Sequence, residues 1–166
     1  MIEVACKHAG EYPVLELNDS NLRDESLPLA FFYHGWEGCK EKVLTQGYEI
    51  AKRGFRVVIP DAQYHGERMV GGPAKTHFLE FWQIIADSVA EFPKIVDYYE
   101  ETTGIKDDFI GVSGLSIGRH HDMRINGFLR LDFFCSLPDG IPVSCRICEK
   151  ADCFDAGGQK RSAAIR

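Results

Sequence analysis

The sequence predicts an α/β fold with a mainly parallel sheet. Three short apolar runs, typical of strands buried on both faces, alternate with segments in which apolar residues recur at helical spacing. The runs cover residues 27–33, 55–60 and 108–113, and helices are expected over about 40–53 and 76–104. Because strands and helices alternate, right-handed crossovers should bring the three strands into one parallel sheet.

The predicted elements have recognisable ends. The first strand runs into the loop His-Gly-Trp-Glu-Gly at residues 34–38, and Gly54 stands where a left-handed residue commonly ends a helix. The second strand enters a glycine-rich loop over residues 61–74. Apolar residues before Ser20 are expected to add one or two antiparallel edge strands. Long loops are thus predicted directly after the first two parallel strands.

Two features of the second predicted helix concern its packing. Pro93 lies inside it and is expected to kink or restart the helix, because proline has no N–H to donate to the preceding turn. The aromatic residues Phe78, Phe81 and Trp82 are interpreted as helix packing. Both interpretations assign this segment to the framework of the fold.

The composition is that of one globular domain. Of the 166 residues, 45% are apolar and 27% are charged, which excludes disorder, collagen and coiled coils. The net charge of -6 argues against binding to nucleic acid or to anionic membranes. No apolar run approaches the ~20 residues that span a bilayer, and no signal-peptide pattern is found at the start. We expect a cytoplasmic protein whose ligands are small molecules.

The cysteines are expected to be reduced thiols without a bound metal. Six of them occur in a chain without an export signal. The spacing of Cys145, Cys148 and Cys153 resembles part of a zinc site, but no paired histidine or second C-x-x-C supplies the remaining ligands. We interpret the three residues as a chance cluster and expect neither metal nor cofactor.

The clearest chemical motif is Gly114-Leu-Ser-Ile-Gly118, a G-x-S-x-G sequence directly after the third strand. In this context it predicts a nucleophile elbow, a sharp strand-to-helix turn that exposes the Ser116 hydroxyl. The flanking glycines let the following helix pack close to the strand. Ser116 is therefore the candidate nucleophile, and the alternative is a plain glycine-rich turn.

A second motif, His34-Gly35, follows the first strand, where a loop that forms an oxyanion hole belongs. The backbone N–H groups of Trp36 and Ile117 could then stabilise a tetrahedral intermediate, and losing one such donor typically raises the barrier by ~3 kcal/mol. By itself His34 is interpreted as a structural loop histidine. His34 supports a catalytic function only by helping to fix the backbone conformation of the loop that carries the Trp36 N–H.

A third motif, Asp61-Ala-Gln-Tyr-His65-Gly66, follows the second strand. With it, residues of about 13–118 resemble the first half of an α/β-hydrolase, in the branch of small bacterial esterases related to dienelactone hydrolases and the prolyl oligopeptidase catalytic domain. The resemblance implies hydrolysis of a small carboxylic ester, or less often a peptide or amide, through an acyl-enzyme. The site residues that it implies are Ser116 as nucleophile, Trp36 and Ile117 as oxyanion donors, and His34, Gly35 and His65 as substrate-binding residues.

The acid and base of a catalytic triad are not found in the expected order. A serine is a weak nucleophile until a histidine takes its proton, and this fold orders the triad as Ser, then Asp or Glu, then His. No histidine follows His121, and His120 and His121 lie on the predicted helix that leaves the elbow. We therefore expect little or no hydrolysis from this chain.

The composition changes near Arg119, which stands where the family usually has a second glycine. Residues 1–118 carry 11 basic and 19 acidic residues, whereas residues 119–166 carry 8 and 6. We expect a partial hydrolase domain over residues 1–118 and an aberrant, poorly packed tail over residues 119–166. A shifted reading frame would explain the change, because codons permitted for residues 119–127 can be regrouped to read Gly-Ile-Thr-Thr-Cys-Ala-Leu-Thr-Ala. The alternative is a genuinely diverged tail.

Three functional hypotheses follow. The first is a serine hydrolase that is cut off before its acid and base. The second is a non-catalytic binding or interaction module that keeps the cleft of a hydrolase. The third is a short hydrolase that recruits its base from elsewhere, for example from His65 or from a second subunit. Ester turnover would favour the third, and stabilisation by a ligand without turnover would favour the second.

Overall fold

The computed structural model describes residues 1–115, and every structural statement below concerns that part of the chain. It contains five strands, β1 (Ile2–Ala9), β2 (Tyr12–Asp19), β3 (Leu27–Tyr33), β4 (Arg56–Pro60) and β5 (Ile105–Gly114). Two α-helices cross between the parallel strands, α1 (Leu44–Ala51) and α2 (Phe81–Thr102). The predicted alternation of strands and helices is confirmed.

The strands form one sheet in the order β1-β2-β4-β3-β5. β3 pairs in parallel with β4 and β5, whereas β2 runs antiparallel to its neighbours β1 and β4. Of the one or two antiparallel edge strands predicted before Ser20, both form, but the prediction is wrong for the position of β2, which lies inside the sheet between β1 and β4. Because β4, β3 and β5 are parallel, the chain leaves all three at the same end of the sheet. In open α/β sheets that end is where ligands bind.

The first helix agrees with the sequence prediction in position but not in form. A 3-10 turn, Lys40–Val43, precedes α1, so only the second half of the predicted segment is α-helical. Gly54 follows with φ +89°, a left-handed conformation that favours glycine. At Gly47 an added Cβ would lie 2.7 Å from Ile59 Cδ1, so glycine lets α1 approach β4 closely.

The predicted restart of the second helix at Pro93 is wrong, because α2 runs through Pro93 as one helix. Phe92 and Ile95 on either side are both 1% exposed and anchor the helix to the sheet on both sides of the proline. That packing outweighs the hydrogen bond that proline cannot donate, whose loss alone would favour a break.

The interpretation of the aromatic residues as helix packing is wrong for Phe78 and Trp82, which are 68% and 59% exposed. Phe78 belongs to a 3-10 segment, Ala74–Glu80, that precedes α2. Burial along α2 begins only at Ile84, so Trp82 stands before the part of the helix that packs on the sheet. Phe81 alone among the three is partly buried, against the small apolar cluster that contains Ile84.

The core lies on both faces of the sheet, because successive strand residues point to opposite sides. On one face the strands pack against α2, with a core that includes Val14, Phe31, Val58, Phe92, Ile95 and Val112. On the other face they pack against α1, with a core that includes Leu15, Leu17, Phe32, Ala51, Val57 and Ile59. The central strands are therefore rigidly held, and so are the points from which their loops depart.

Three buried polar side chains interrupt the apolar face toward α2, and we call Glu16, Arg56 and Tyr99 the helix cluster. The Tyr99 hydroxyl donates to Glu16 Oε2 at 2.9 Å, and Lys7 Nζ donates to Glu16 Oε1 at 2.8 Å. Arg56 Nε lies 3.9 Å from Glu16 Oε1, while Arg56 Nη2 donates to the Arg23 carbonyl at 2.6 Å. Burial, helped by the Glu16 carboxylate, raises the pKa of Tyr99. The cluster ties α2 to β2 and β4.

Several predictions fall on residues outside the described part of the chain. They concern Ser116, Ile117, the cysteines at 145–153 and the whole of the predicted tail over residues 119–166. Among the helices of residues 1–115, none has the length and apolarity that crossing a membrane requires.

Candidate active site

The strand pairing brings two of the predicted motifs together. In the parallel pair β3–β5, Tyr33 at the end of β3 is the partner of Gly114 at the end of β5. The backbone N–H of Leu115 donates to the Tyr33 carbonyl at 3.0 Å. The residue before the predicted nucleophile is therefore bonded to the residue before His34. Ser116 and Ile117 lie outside the described residues, so their roles stay predictions.

A tight turn forms the loop after β3. The Gly38 N–H donates to the Gly35 carbonyl at 2.9 Å, and a Cβ on Gly38 would stand only 2.6 Å from that oxygen. Glycine at position 38 therefore lets the loop close on itself. Within residues 1–115 the backbone N–H of Trp36, inside this turn, has no hydrogen-bond acceptor. Among these residues it is a donor without a partner, three residues after the end of β3.

His34 uses both of its ring nitrogens inside the protein. Nε2 accepts the backbone N–H of Ala62 at 3.1 Å, so it carries no proton. Nδ1 lies 2.9 Å from the Gly35 carbonyl, to which it donates. Burial lowers the pKa of His34, which is 1% exposed. A neutral ring that links the loops after β3 and β4 fits the predicted structural role and leaves no nitrogen for a substrate.

His65 lies beside this loop. Its ring centroid is 5.3 Å from that of Trp36 and 5.0 Å from that of His34. Nδ1 donates to the Gln63 carbonyl at 2.8 Å, which leaves Nε2 as the bare nitrogen of a neutral ring. Nε2 is buried without a hydrogen-bond partner in the described part of the chain, and burial lowers the pKa of the ring. The Trp36 side chain also contacts Phe81, with ring centroids 5.3 Å apart.

Beneath the two loops lies a charged group that sequence analysis missed, and we call Lys40, Asp61 and Glu67 the loop cluster. Lys40 Nζ, whose side chain is 0% exposed, lies 2.7 Å from Asp61 Oδ2 and 2.6 Å from Glu67 Oε1. Burial lowers the pKa of Lys40, but the hydrogen bonds that Lys40 donates to Asp61 and Glu67 outweigh this effect and raise the pKa overall. The lysine is therefore a permanent cation inside the protein.

The Asp61 carboxylate also accepts backbone donors from both loops. The Lys40 N–H donates to Oδ1 at 2.9 Å, and the Glu67 N–H donates to Oδ2 at 3.1 Å. Gly66 has φ +50°, and an added Cβ there would lie 2.2 Å from the carboxylate oxygens. This contact explains the glycine of the D-x-x-x-H-G motif. The aspartate of that motif was the available signal, whereas nothing in the sequence marked Lys40 as buried.

An open cavity of about 200 Å³ lies between the two loops. Its lining residues include Glu37, Tyr64, His65, Met69 and Ala74. Its volume is below the range of about 300–1,000 Å³ that is typical of small-molecule sites. Among residues 1–115 no group of three histidine, cysteine or carboxylate side chains is placed to hold a metal ion.

The loop after β4 is also tied to α2. Arg68 forms a two-pronged pair with Glu91, with both N···O distances at 2.7 Å, and donates to the Asp61 carbonyl at 3.1 Å. Such paired contacts fix the guanidinium in one orientation. The loop is thus held by α2 on one side and by Lys40 on the other.

Comparison with known proteins finds relatives that are named as an esterase and a putative esterase. The chain is 33% identical over 118 residues to esterase YjfP of Escherichia coli, a match that covers 71% of this chain and 47% of YjfP. The chain spans about half the length of the curated relatives it matches. No family model matches the sequence.

Solved structures share the fold. The TT1662 protein of Thermus thermophilus is 25% identical, with a TM-score of 0.57 over 71% of this chain and 48% of that protein. A dienelactone hydrolase-like promiscuous phosphotriesterase from metagenomic libraries is 12% identical, with a TM-score of 0.57 over 75% of this chain and 53% of that protein. The second likeness concerns the fold alone. With the strand order and the adjacent loops, these similarities establish that the chain belongs to the α/β-hydrolase superfamily.

Proposed function

We propose that this chain carries the nucleophile and the oxyanion hole of a serine esterase that acts on small carboxylic esters in the cytoplasm. Ser116 Oγ attacks the ester carbonyl carbon, and the alcohol leaves to give an acyl-enzyme that water then hydrolyses. The Trp36 and Ile117 N–H groups donate to the oxygen that becomes negatively charged in each tetrahedral intermediate. Each such donor is worth ~3 kcal/mol of barrier.

The observation that carries this proposal is the bond from the Leu115 N–H to the Tyr33 carbonyl. It links the last described residue before Ser116 to the strand end from which the Trp36 loop departs. The Trp36 N–H, which has no acceptor among residues 1–115, is a donor in the loop that follows this strand end. The relationship to an esterase, YjfP, supports an ester as the substrate class.

The proposed mechanism needs a general base for Ser116, and the described histidines are poorly placed to supply it. No histidine follows His121 in the 166 residues. His34 has no free nitrogen, since both are hydrogen bonded within the protein. His65 has a bare Nε2, but its Nδ1 donates to a backbone carbonyl and not to a carboxylate that would stabilise the charged ring. We infer that these 166 residues hold a serine and an oxyanion hole without an efficient base.

The test is hydrolysis of p-nitrophenyl acetate by the 166-residue chain and by the Ser116→Ala variant, with and without imidazole as an external base. Without imidazole, we expect the two proteins to hydrolyse the ester at the same rate. With imidazole, we expect the parent chain to show an increment in the rate of hydrolysis that the Ser116→Ala variant lacks. Strong hydrolysis without imidazole that depends on Ser116 and on His65 would favour a recruited base. No increment, together with stabilisation by an ester analogue, would favour a non-catalytic binding module.

The origin of the missing base is tested separately at the gene. The change in composition at Arg119 supports a shifted reading frame downstream of codon 118. We expect the shifted frame to stay open and to encode an Asp or Glu followed by a His. Early stop codons in that frame would contradict the frameshift and favour a diverged tail.

A further inference from the structure

The loop cluster lies directly behind the turn that presents the Trp36 N–H. Lys40 stands four residues after Trp36 and is held at both its backbone and its side chain by one carboxylate, that of Asp61. Asp61 is 1% exposed, and its side chain makes no contact with solvent. The buried Asp61 carboxylate therefore holds the end of the Trp36 loop through two hydrogen bonds from Lys40.

Both loops contain a residue in a conformation that their bonding must enforce. Glu37 has φ 60° and Tyr64 has φ 64°, the left-handed region that non-glycine residues rarely adopt. Such conformations persist where the surrounding structure imposes them. Glu37 follows Trp36 inside the turn that the Gly38 N–H closes, so its left-handed backbone belongs to the same turn as the Trp36 N–H. The bonds to Lys40 hold this strained turn closed.

The same carboxylate reaches the second loop. It accepts the Glu67 N–H, and Glu67 in turn accepts from Lys40 Nζ at 2.6 Å. His34 Nε2, 3.9 Å from Asp61 Oδ1, accepts the Ala62 N–H and so makes a second bridge between the loops. The two loops consequently form one bonded unit instead of two independent segments.

From this geometry we propose that Lys40 and Asp61 are positioning residues that hold the Trp36 N–H in place as an oxyanion donor. This inference rests on the proposed function. Neither residue touches a reacting atom. Their effect passes through the backbone of residues 36–40, because an oxyanion hole works only when its donors are oriented before the charge develops.

The first test measures the loop directly in the 166-residue chain, by hydrogen–deuterium exchange of the segment 34–40. The variant is Asp61→Asn, which keeps the shape of the side chain and removes its charge. We expect exchange in this segment to become about tenfold faster, the size expected for loss of a charge-assisted hydrogen bond. The matched control is Tyr99→Phe, which loses a buried bond to a carboxylate elsewhere and should leave segment 34–40 unchanged.

A second readout uses tryptophan fluorescence. The chain has two tryptophans, so in a Trp82→Phe background Trp36 is the only emitter. We expect Asp61→Asn to shift Trp36 emission to longer wavelength, and Tyr99→Phe to leave it in place. Lys40→Met is the second variant, which keeps the backbone bonds to Asp61 and remains informative if Asp61→Asn does not fold.

The outcomes separate this inference from the proposed function. Unchanged exchange and emission in both Asp61→Asn and Lys40→Met would overturn the positioning role, whatever the activity. Faster exchange with loss of the Ser116-dependent increment in imidazole would support both proposals. Faster exchange in a chain whose parent has no such increment would keep the positioning of the loop and reject its use in ester hydrolysis.

Discussion

The two buried polar clusters of this protein are built differently, although both are nine-tenths or more buried at their centre. In the loop cluster the Asp61 carboxylate accepts three N–H donors, and Lys40 Nζ contacts two carboxylates besides that of Glu41. In the helix cluster, Arg56 Nε and Nη1 are buried without a hydrogen-bond partner in the described residues. One cluster is saturated with bonds, and the other is not.

The difference follows from what each cluster joins. The helix cluster lies between a sheet and a helix whose positions the apolar core already determines, so its polar groups add to an arrangement that exists without them. The loop cluster joins two irregular segments, of which Trp36, Ala62 and Tyr64 take part in a small apolar cluster with Ile84 and Ile85. Such segments need directional bonds to take one conformation. Saturated charge therefore stands where two irregular segments must keep one backbone conformation.

The largest expected effect comes from breaking the saturated cluster. Lys40→Met removes the cation beside Asp61, whose side chain is 0% exposed. Removing one partner of a buried ion pair typically lowers the free energy of unfolding by about 3–5 kcal/mol, because the other charge is left uncompensated. Urea denaturation followed by circular dichroism measures the change. A loss below ~1 kcal/mol would mean that the pair is not tightly coupled.

A smaller loss is expected in the helix cluster. Tyr99→Phe removes the bond at 2.9 Å to Glu16, which keeps its bond to Lys7. A hydrogen bond to a charged group contributes about 1.5–3 kcal/mol, so we expect a loss of ~2 kcal/mol in the same urea experiment. A loss equal to that of Lys40→Met would remove the contrast between the clusters.

The histidines beside the loop cluster predict a pH dependence. Burial lowers the pKa of both His34 and His65 in the folded state. Below the unfolded pKa of about 6.5 the unfolded chain binds protons that the folded chain does not, so stability is full above pH 6.5 and falls as the pH drops toward the folded pKa.

Thermal denaturation should therefore show a lower melting temperature at pH 5.5 than at pH 7. The His65→Gln variant should have a flatter profile, because one of the two contributing groups is removed. Stability that rises on acidification would contradict the assignment of neutral rings to these two histidines.

The smallest effect is expected at an exposed ion pair, which serves as a control for the substitutions in both clusters. Lys52 and Glu49 form a pair at 3.2 Å whose side chains are 51% and 57% exposed. Exposed pairs contribute little, so Lys52→Ala should change the free energy of unfolding by less than ~0.5 kcal/mol. A large change at this position would mean that charge removal alone, and not burial, explains the other two variants.

The framework of the fold could be predicted from the sequence because buried elements require apolar residues at a characteristic spacing. Strands covered on both faces require continuous apolar runs, and residues 27–33, 55–60 and 108–113 carry them. The order of the motifs after these strands also predicted which loops meet, since parallel strands end at the same edge. The structure places the ends of β3 and β5 side by side, with Tyr33 paired to Gly114.

Part of the candidate site could not be predicted, because burial of a charge depends on partners distant in the chain. Lys40 reads as a surface residue at the start of a helix, and it is buried only because Asp61, 21 residues later, is brought beside it by the pairing of β3 with β4. Phe78 and Trp82 differ from the prediction in the opposite direction, because they are exposed. Their spacing predicts packing, but burial along α2 begins only at Ile84.

The sequence alone therefore determined the strands and their order along the chain, since these follow from local hydrophobic pattern, and glycine placement predicts the candidate nucleophile and the candidate oxyanion loop. Tertiary structure decided which polar groups are buried, how the two loops are bonded and which aromatic residues stay exposed. Those properties are set by pairwise contacts across tens of residues, and hydrophobic periodicity carries no information about them.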